Sequence, residues 1–177
     1  MTTATMQFQR ITVVVLALTA LTCSQPQPAP PPDTGIENID LGIKLASVPK
    51  GLAEAVNQGS NLELRPTDEG VVGVMWFAVG PEKRGVNLVA VVQEHQAGIE
   101  SLPEGAYKGA QELQGDFGVA FYSRGRFSEA DATVEETVLF RIHPSGNRLL
   151  EIHYRYPAGD DSAARVEQLI GVLAQLE

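Results

Sequence analysis

Three histidines, His95, His143 and His153, are the side chains of this 177-residue sequence best suited to proton transfer or metal ligation. Their spacing works against a shared site. Metal pairs on a helix need ligands one turn apart and a third donor. His95 has only Glu94 beside it, about 100° away around a helix. His143 falls in the turn His143-Pro-Ser-Gly-Asn147, and His153 on the strand that follows. The expected places are the edge of a helical core stripe for His95, an exposed turn for His143 and a partly solvated sheet face for His153. No metal and no cofactor is expected. A hydrolytic nucleophile would need a Gly-x-Ser-x-Gly elbow, which the sequence lacks. Gly70-Val-Val-Gly73 precedes a strand and has no lysine, so it is no phosphate loop. Glu135 and Glu136 would point to opposite faces of a strand, and Asp160-Asp161-Ser162 reads as the cap of a helix. No catalytic residue is assigned.

One polar constellation remains. Val134 to Tyr156 reads as a hairpin, with Pro144 pre-set for a type I turn and Gly146 for the left-handed residue of a bulge. That turn pairs His143 with Asn147, Phe140 with Leu150, Val138 with Ile152 and Glu135 with Arg155. It sets Glu135, Thr137, Arg141 and His143 on the same face as Glu151, His153 and Arg155. Glu135, Arg141, His153 and Arg155 are therefore the candidate recognition surface, for a protein or a polar ligand. The plainer reading is a solvated face with cross-strand ion pairs worth a few tenths of a kcal/mol each.

The elements that would carry these residues follow from periodicity. Leu41 to Ala46 and Asn61 to Arg65 alternate as strands do. Val71 to Val79 is an unbroken apolar run rich in β-branched and aromatic residues, as expected of a strand covered on both faces. Asn87 begins a helix whose Leu88, Val92, His95 and Ile99 form one stripe, and Pro103 and Gly105 stop it. Tyr107 to Leu113 and Val119 to Phe127 are further strands, with Gly125 marking a bulge. A last helix buries Val166, Leu169, Ile170 and Leu173. Three strands, a helix, four strands and a helix make an α+β domain: a mainly antiparallel sheet of about six or seven strands packed with two principal helices.

Ahead of that domain, Arg10 precedes the apolar run Ile11 to Thr22. As a helix that run rises about 18 Å, short of the ~30 Å bilayer core, so it reads as an export signal over residues 1–22. The sole cysteine, Cys23, follows directly and cannot form an internal disulfide. Ala20-Leu21-Thr22-Cys23 resembles a lipobox, with Ala20 and Thr22 standing where leucine and a smaller residue are usual. The expectation is a bacterial lipoprotein anchored through Cys23. Residues 23–35 hold five of the eleven prolines, so they form an extended, semi-rigid tether. Residues 36–177 form one domain, long enough to bury a core without metals or disulfides. With 13 basic and 22 acidic side chains the chain carries −9. That charge disfavours nucleic acid and holds the domain clear of anionic lipid.

The opening Leu41-Gly-Ile-Lys-Leu-Ala-Ser-Val-Pro-Lys-Gly51, with the element order from Leu41 to Leu176, resembles the PsbP-like proteins. These include the extrinsic P subunit of photosystem II, a Ran-binding nuclear import factor and many bacterial lipoproteins. The resemblance implies a central antiparallel sheet between helices, no shared catalytic set, and a role in binding or assembling other proteins. The expected function is a lipid-anchored, extracytoplasmic binding or assembly-factor domain of the cell envelope, without catalysis, with an envelope protein as partner. The alternatives are a carrier of a small apolar ligand, with Val71 to Val79 lining its cavity, and an envelope enzyme acting on a polar substrate.

Overall fold

The computed structural model describes residues 35–159 and 162–177. The export signal, Cys23, nearly all of the tether and the Asp160-Asp161 cap lie outside the described residues. The chain forms β1 (Ile36–Asn38), β2 (Ile43–Leu45), β3 (Leu52–Gln58), β4 (Asn61–Pro66), β5 (Val74–Val79), α1 (Leu88–Ser101), β6 (Ala106–Gly115), β7 (Gly118–Glu129), β8 (Ala132–Ile142), β9 (Leu149–Pro157) and α2 (Ser162–Ala174). β1 and β2 make a small antiparallel hairpin. The other seven strands form one antiparallel sheet in the order β3-β4-β5-β9-β8-β7-β6. This is the α+β architecture the periodicity predicts, with a helix against each face.

The main core lies on the α2 side. Leu62, Leu64, Met75, Leu150, Ile152, Tyr154 and Leu139 rise from the sheet to meet Leu169, Val172 and Leu173 of α2 and Ile43 and Leu45 of the hairpin. The hairpin is pinned there because Ala46 N–H donates to the Gln175 carbonyl. Of the predicted α2 stripe, Leu169 and Leu173 are buried and Val166 and Ile170 only partly so. Arg165 takes the inner place instead, its guanidinium 5.8 Å from the Tyr154 ring centroid and Nη1 donating to the Tyr154 hydroxyl at 3.2 Å. A long aliphatic stem lets an arginine pack inward while its charge lies on aromatic faces.

α1 lies over β6, β7 and β8 on the opposite face. Asn87 caps it, accepting from Val89 N–H and Ala90 N–H. The predicted stripe holds, with Ile99 fully buried and Leu88, Val92 and His95 half-buried.

Four expectations are corrected. β3 was not anticipated, because Leu52-Ala-Glu-Ala-Val-Asn-Gln58 is poor in strand formers. It is an edge strand held by pairing with β4, with Leu52 its single fully buried residue. β5 begins at Val74 and is fully covered on one face only: Met75 and Phe77 are buried, whereas Val74, Trp76 and Ala78, on the face that carries α1 elsewhere, are half-buried. The bulge near Gly125 belongs to the facing strand, between Tyr107 and Gly109. Gly125 is required for another reason, since Ile99 packs directly onto its backbone.

The fourth correction moves the site. The β8–β9 loop closes with His143 N–H donating to the Arg148 carbonyl, one residue later than predicted. Gly146 (φ 77°) and Asn147 (φ 53°) both take left-handed conformations, which makes a four-residue loop where the reading assumed three. Phe140 therefore faces Glu151, Val138 faces His153 and Glu136 faces Arg155. A slip of one residue turns every side chain of one strand to the other face.

Candidate functional site

Glu135, Arg141, His153 and Arg155 consequently do not share a face. Glu135 and Arg141 point to the α2 side. There Glu135 meets Arg124 at 3.7 Å. Arg141 is buried and donates through Nε to the Ile142 carbonyl, and burial lowers its pKa. His153 and Arg155 lie on the α1 side, where they converge on a residue the sequence reading set aside, Glu136.

Glu136 stands mid-sheet between Gly125 of β7 and Arg155 of β9 and is 5% exposed. Arg155 Nε donates to its Oε1 at 2.9 Å, and His153 Nδ1 lies 3.3 Å from the same oxygen. From α1 above, His95 Nε2 comes within 3.6 Å of Oε2. Burial pushes the Glu136 carboxyl up, but His153, His95 and Arg155 together outweigh it and hold it well below the usual carboxylate range. Behind His95, its Nδ1 is 2.9 Å from Ser123 Oγ, which reaches the Tyr107 hydroxyl at 3.2 Å. One polar chain thus ties α1 to β6, β7, β8 and β9.

His153 lies between two carboxylates. Its Nε2 is 2.9 Å from Glu151 Oε2 while Nδ1 faces Glu136. Carboxylates only accept, so both ring nitrogens must carry protons and the ring is an imidazolium. Burial works against that charge, and the two glutamates overcome it, raising the pKa. The ring stacks on Trp76 at 4.7 Å and 9°. The Arg155 guanidinium sits 5.3 Å from the Trp76 ring centroid and 5.2 Å from that of Phe127.

His143 is the opposite case. It is buried, not exposed at the turn as expected. Ser145 N–H donates to its Nδ1 at 3.1 Å, so that nitrogen holds a lone pair and Nε2–H donates to the Leu41 carbonyl at 3.1 Å. The ring is neutral, and burial lowers its pKa. It fastens the β8–β9 turn to the β1–β2 loop, which Gly42 (φ 66°) brings within reach.

The two histidines give stability of opposite pH dependence. His153, with its pKa raised, contributes fully below its unfolded value near 6.5 and loses that contribution as pH rises through the folded value. His143, with its pKa lowered, contributes fully above about 6.5 and loses it as pH falls. Melting temperature measured across the neutral range should therefore lose its high-pH decline in His153→Gln and part of its low-pH decline in His143→Gln. The same profile in both variants would refute the assignment.

The order Ser123–His95–Glu136 resembles a nucleophile, base and acid, yet Ser123 is fully buried beneath α1. No substrate carbonyl reaches its Oγ, so the chain holds α1 in place. Among the described residues, no three His, Cys, Asp or Glu side chains are placed to hold a metal ion. Next to this buried network the outer half of the face is open. Trp76 and Arg155 line a groove of about 490 Å³, with Val72, Val74, Val134 and Arg65.

Seven antiparallel strands with α2 and a small hairpin on one face and α1 on the other define a Mog1/PsbP-like α+β fold, as the sequence resemblance implied. Among solved structures, the Saccharomyces cerevisiae Ran-binding protein Mog1p is similar at TM-score 0.56 and 12% identity, covering 81% of this chain and 94% of that one. LpqN, involved in cell envelope biogenesis of Mycobacterium tuberculosis, is similar at TM-score 0.54 and 15% identity, covering 81% of this chain and 88% of its own. No protein-family model matches the chain, and no curated protein sequence does. At these identities the likeness is one of fold.

Proposed function

We propose that this chain is a lipid-anchored, extracytoplasmic domain of the bacterial cell envelope that binds or helps assemble a partner protein, without catalysis of its own. The observation that carries the binding half is the juxtaposition on one sheet face: a locked, desolvated ion network against an open strip bearing Trp76, Val72 and Val74. Fixed charges beneath α1 hold the half-buried Trp76 ring rigid, and rigid aromatic anchors beside arginine are what protein recognition uses. Two solved structures of this fold point the same way, one a Ran-binding protein and one a protein involved in cell envelope biogenesis. The anchoring half rests on Cys23 behind the apolar run Ile11 to Thr22, with the proline-rich tether after it.

Metabolic labelling with palmitate tests the anchor. The wild-type chain should incorporate label and sediment with membranes, whereas Cys23→Ser should incorporate none and appear in the soluble fraction. Equal behaviour of the two chains would remove lipid anchoring. Crosslinking in the native envelope tests the binding half. Loss of the captured partner in Trp76→Ala, with its retention in Arg141→Gln on the opposite face, would place recognition on the open strip. Retention in both would reject that surface.

A further inference from the structure

The groove over Trp76 has a composition that a partner-binding role alone does not require. Val72, 63% exposed, forms its rim, and Val74, Trp76 and Val134 supply apolar wall. Its charged lining is Arg65, Arg155 and Glu129. The chain as a whole carries −9, and the two guanidiniums of this groove each have glutamate partners, Glu136 and Glu129 for Arg155 and Glu63 for Arg65. Arg155 is fixed, its Nε on Glu136 and Nη1 within 3.4 Å of Glu129. Arg65 is 60% exposed with Glu63 3.4 Å away, a loose surface pair that leaves it able to turn toward a ligand.

We infer that this groove is a binding site for a small amphiphilic anion: a free molecule with a single apolar chain or flat ring and one carboxylate or comparable acid group. The apolar part lies on Trp76 and the three valines, and the acid group meets Arg65 beside Arg155. The volume of about 490 Å³ falls in the range of small-ligand sites. A protein interface buries ~800 Å² per partner and extends well past this groove, so a partner protein on the surrounding strip and a small molecule inside the groove are separate occupants, and the groove's own size fits the small molecule. Guanidinium groups favour acid groups because their paired donors match a carboxylate's two oxygens. This goes beyond the envelope-binding reading and holds whether or not Cys23 is acylated.

Trp76 is the sole tryptophan of the chain, so tryptophan fluorescence reports on a side chain that lines the groove. The experiment uses the full-length chain with Cys23→Ser and no detergent, and titrates it with 8-anilinonaphthalene-1-sulfonate. The expected result is saturable energy transfer from Trp76, reversed by added decanoate and much less by decanol at equal concentration. Arg65→Gln should weaken decanoate binding roughly tenfold, as loss of a charge-assisted contact does. Val72→Glu, which places a carboxylate at the rim, should weaken it at least as much. Both substitutions lie on exposed side chains, and circular dichroism checks that each variant keeps its fold. The inference fails if decanoate leaves the Trp76 signal unmoved, if decanol competes as well as decanoate, or if Arg65→Gln binds like the wild type. Partition of the chain onto phosphatidylglycerol vesicles, without competition by free decanoate, would also overturn it by assigning the groove to a membrane surface. Palmitate labelling reads the anchor separately, so either claim can fall without the other.

Discussion

Replacing Glu136 with alanine is expected to cost the fold about 3–5 kcal/mol, the range for removing one partner from a buried charge cluster. The carboxylate is 5% exposed and neutralises Arg155 and the His153 imidazolium at once. Its removal leaves two like charges side by side in a desolvated place, with only Glu151 and Glu129 at the margins. Against a total stability of about 5–15 kcal/mol, the melting temperature should fall by an amount on the order of 10 °C. Glu136→Gln separates charge from shape. Its amide oxygen can still accept from Arg155, so the loss should be smaller. The attraction that keeps His153 protonated is halved, however, and the His153 proton should be lost at lower pH. Histidine NMR titration reads that shift directly. The wild-type carboxylate, held well below its ordinary range, is also an acid-stability element. Its contribution is complete above the unfolded value near 4.5 and disappears as pH falls toward the folded value. Urea denaturation of Glu136→Ala with a loss below about 1 kcal/mol, the level of an exposed pair, would show that the network is a surface feature.

Alternation, the apolar run Val71 to Val79 and the hairpin turn placed every strand of the seven-stranded sheet except β3, and the 3.6-residue stripe placed α1 correctly down to His95 and Ile99. Those signals are local and strong because each element has one apolar side. The β8–β9 register is different. Val134, Val138 and Phe140 on one face of β8 and Leu150 and Ile152 on one face of β9 are apolar, and matching like with like puts them on the same side. Both faces of the sheet are covered there, by α1 and by α2, so the two apolar sets lie on opposite sides instead. The hydrophobic match therefore misleads, and turn length sets the pairing. Asn147 is among the few residues besides glycine that tolerate a left-handed conformation, and it lengthened the loop by one. The cross-strand match of Glu135 with Arg155 looked persuasive, but its neighbour Glu136 makes the same match in the true register. Adjacent glutamates made the error invisible. The groove was half legible: the run from Val71 to Val79 was recognised as a possible cavity wall, whereas its openness depends on α1 stopping short of β5, a tertiary fact. His143 was misjudged for a similar reason, since its burial comes from Leu41, 102 positions away.

Gly125→Val isolates the other device that seats α1, and there sequence and structure predict opposite signs. Valine is a strong strand former and glycine a weak one, so by propensity the change in β7 should stabilise. In the folded chain a Cβ at this position would lie 2.6 Å from Ile99 Cγ2, 2.7 Å from Cγ1 and 2.8 Å from Cδ1. Ile99 cannot give way, being 2% exposed and β-branched with little rotamer freedom. The expected outcome is a loss of about 3 kcal/mol from overpacking. Ile99→Ala alone should lose about 2–5 kcal/mol, because it opens a cavity under the helix. Combining the two lets the valine fill the space the isoleucine vacates. The double variant should then be more stable than the sum of the singles by about 1–3 kcal/mol of coupling. Additivity within error, or a Gly125→Val chain as stable as the wild type, would show that α1 does not bear on this glycine. The consequence reaches the ion network. Glu136 is Gly125's partner on β8, and His95 sits one turn before Ile99 on α1. A side chain that lifts the helix here also draws His95 away from the carboxylate. Gly125→Val should therefore shift the His95 resonances as well as lower stability, and Ile99→Ala in the same chain should bring them back. Glycine at 125 is thus what allows a helix to come close enough for its histidine to meet a charge buried in the sheet.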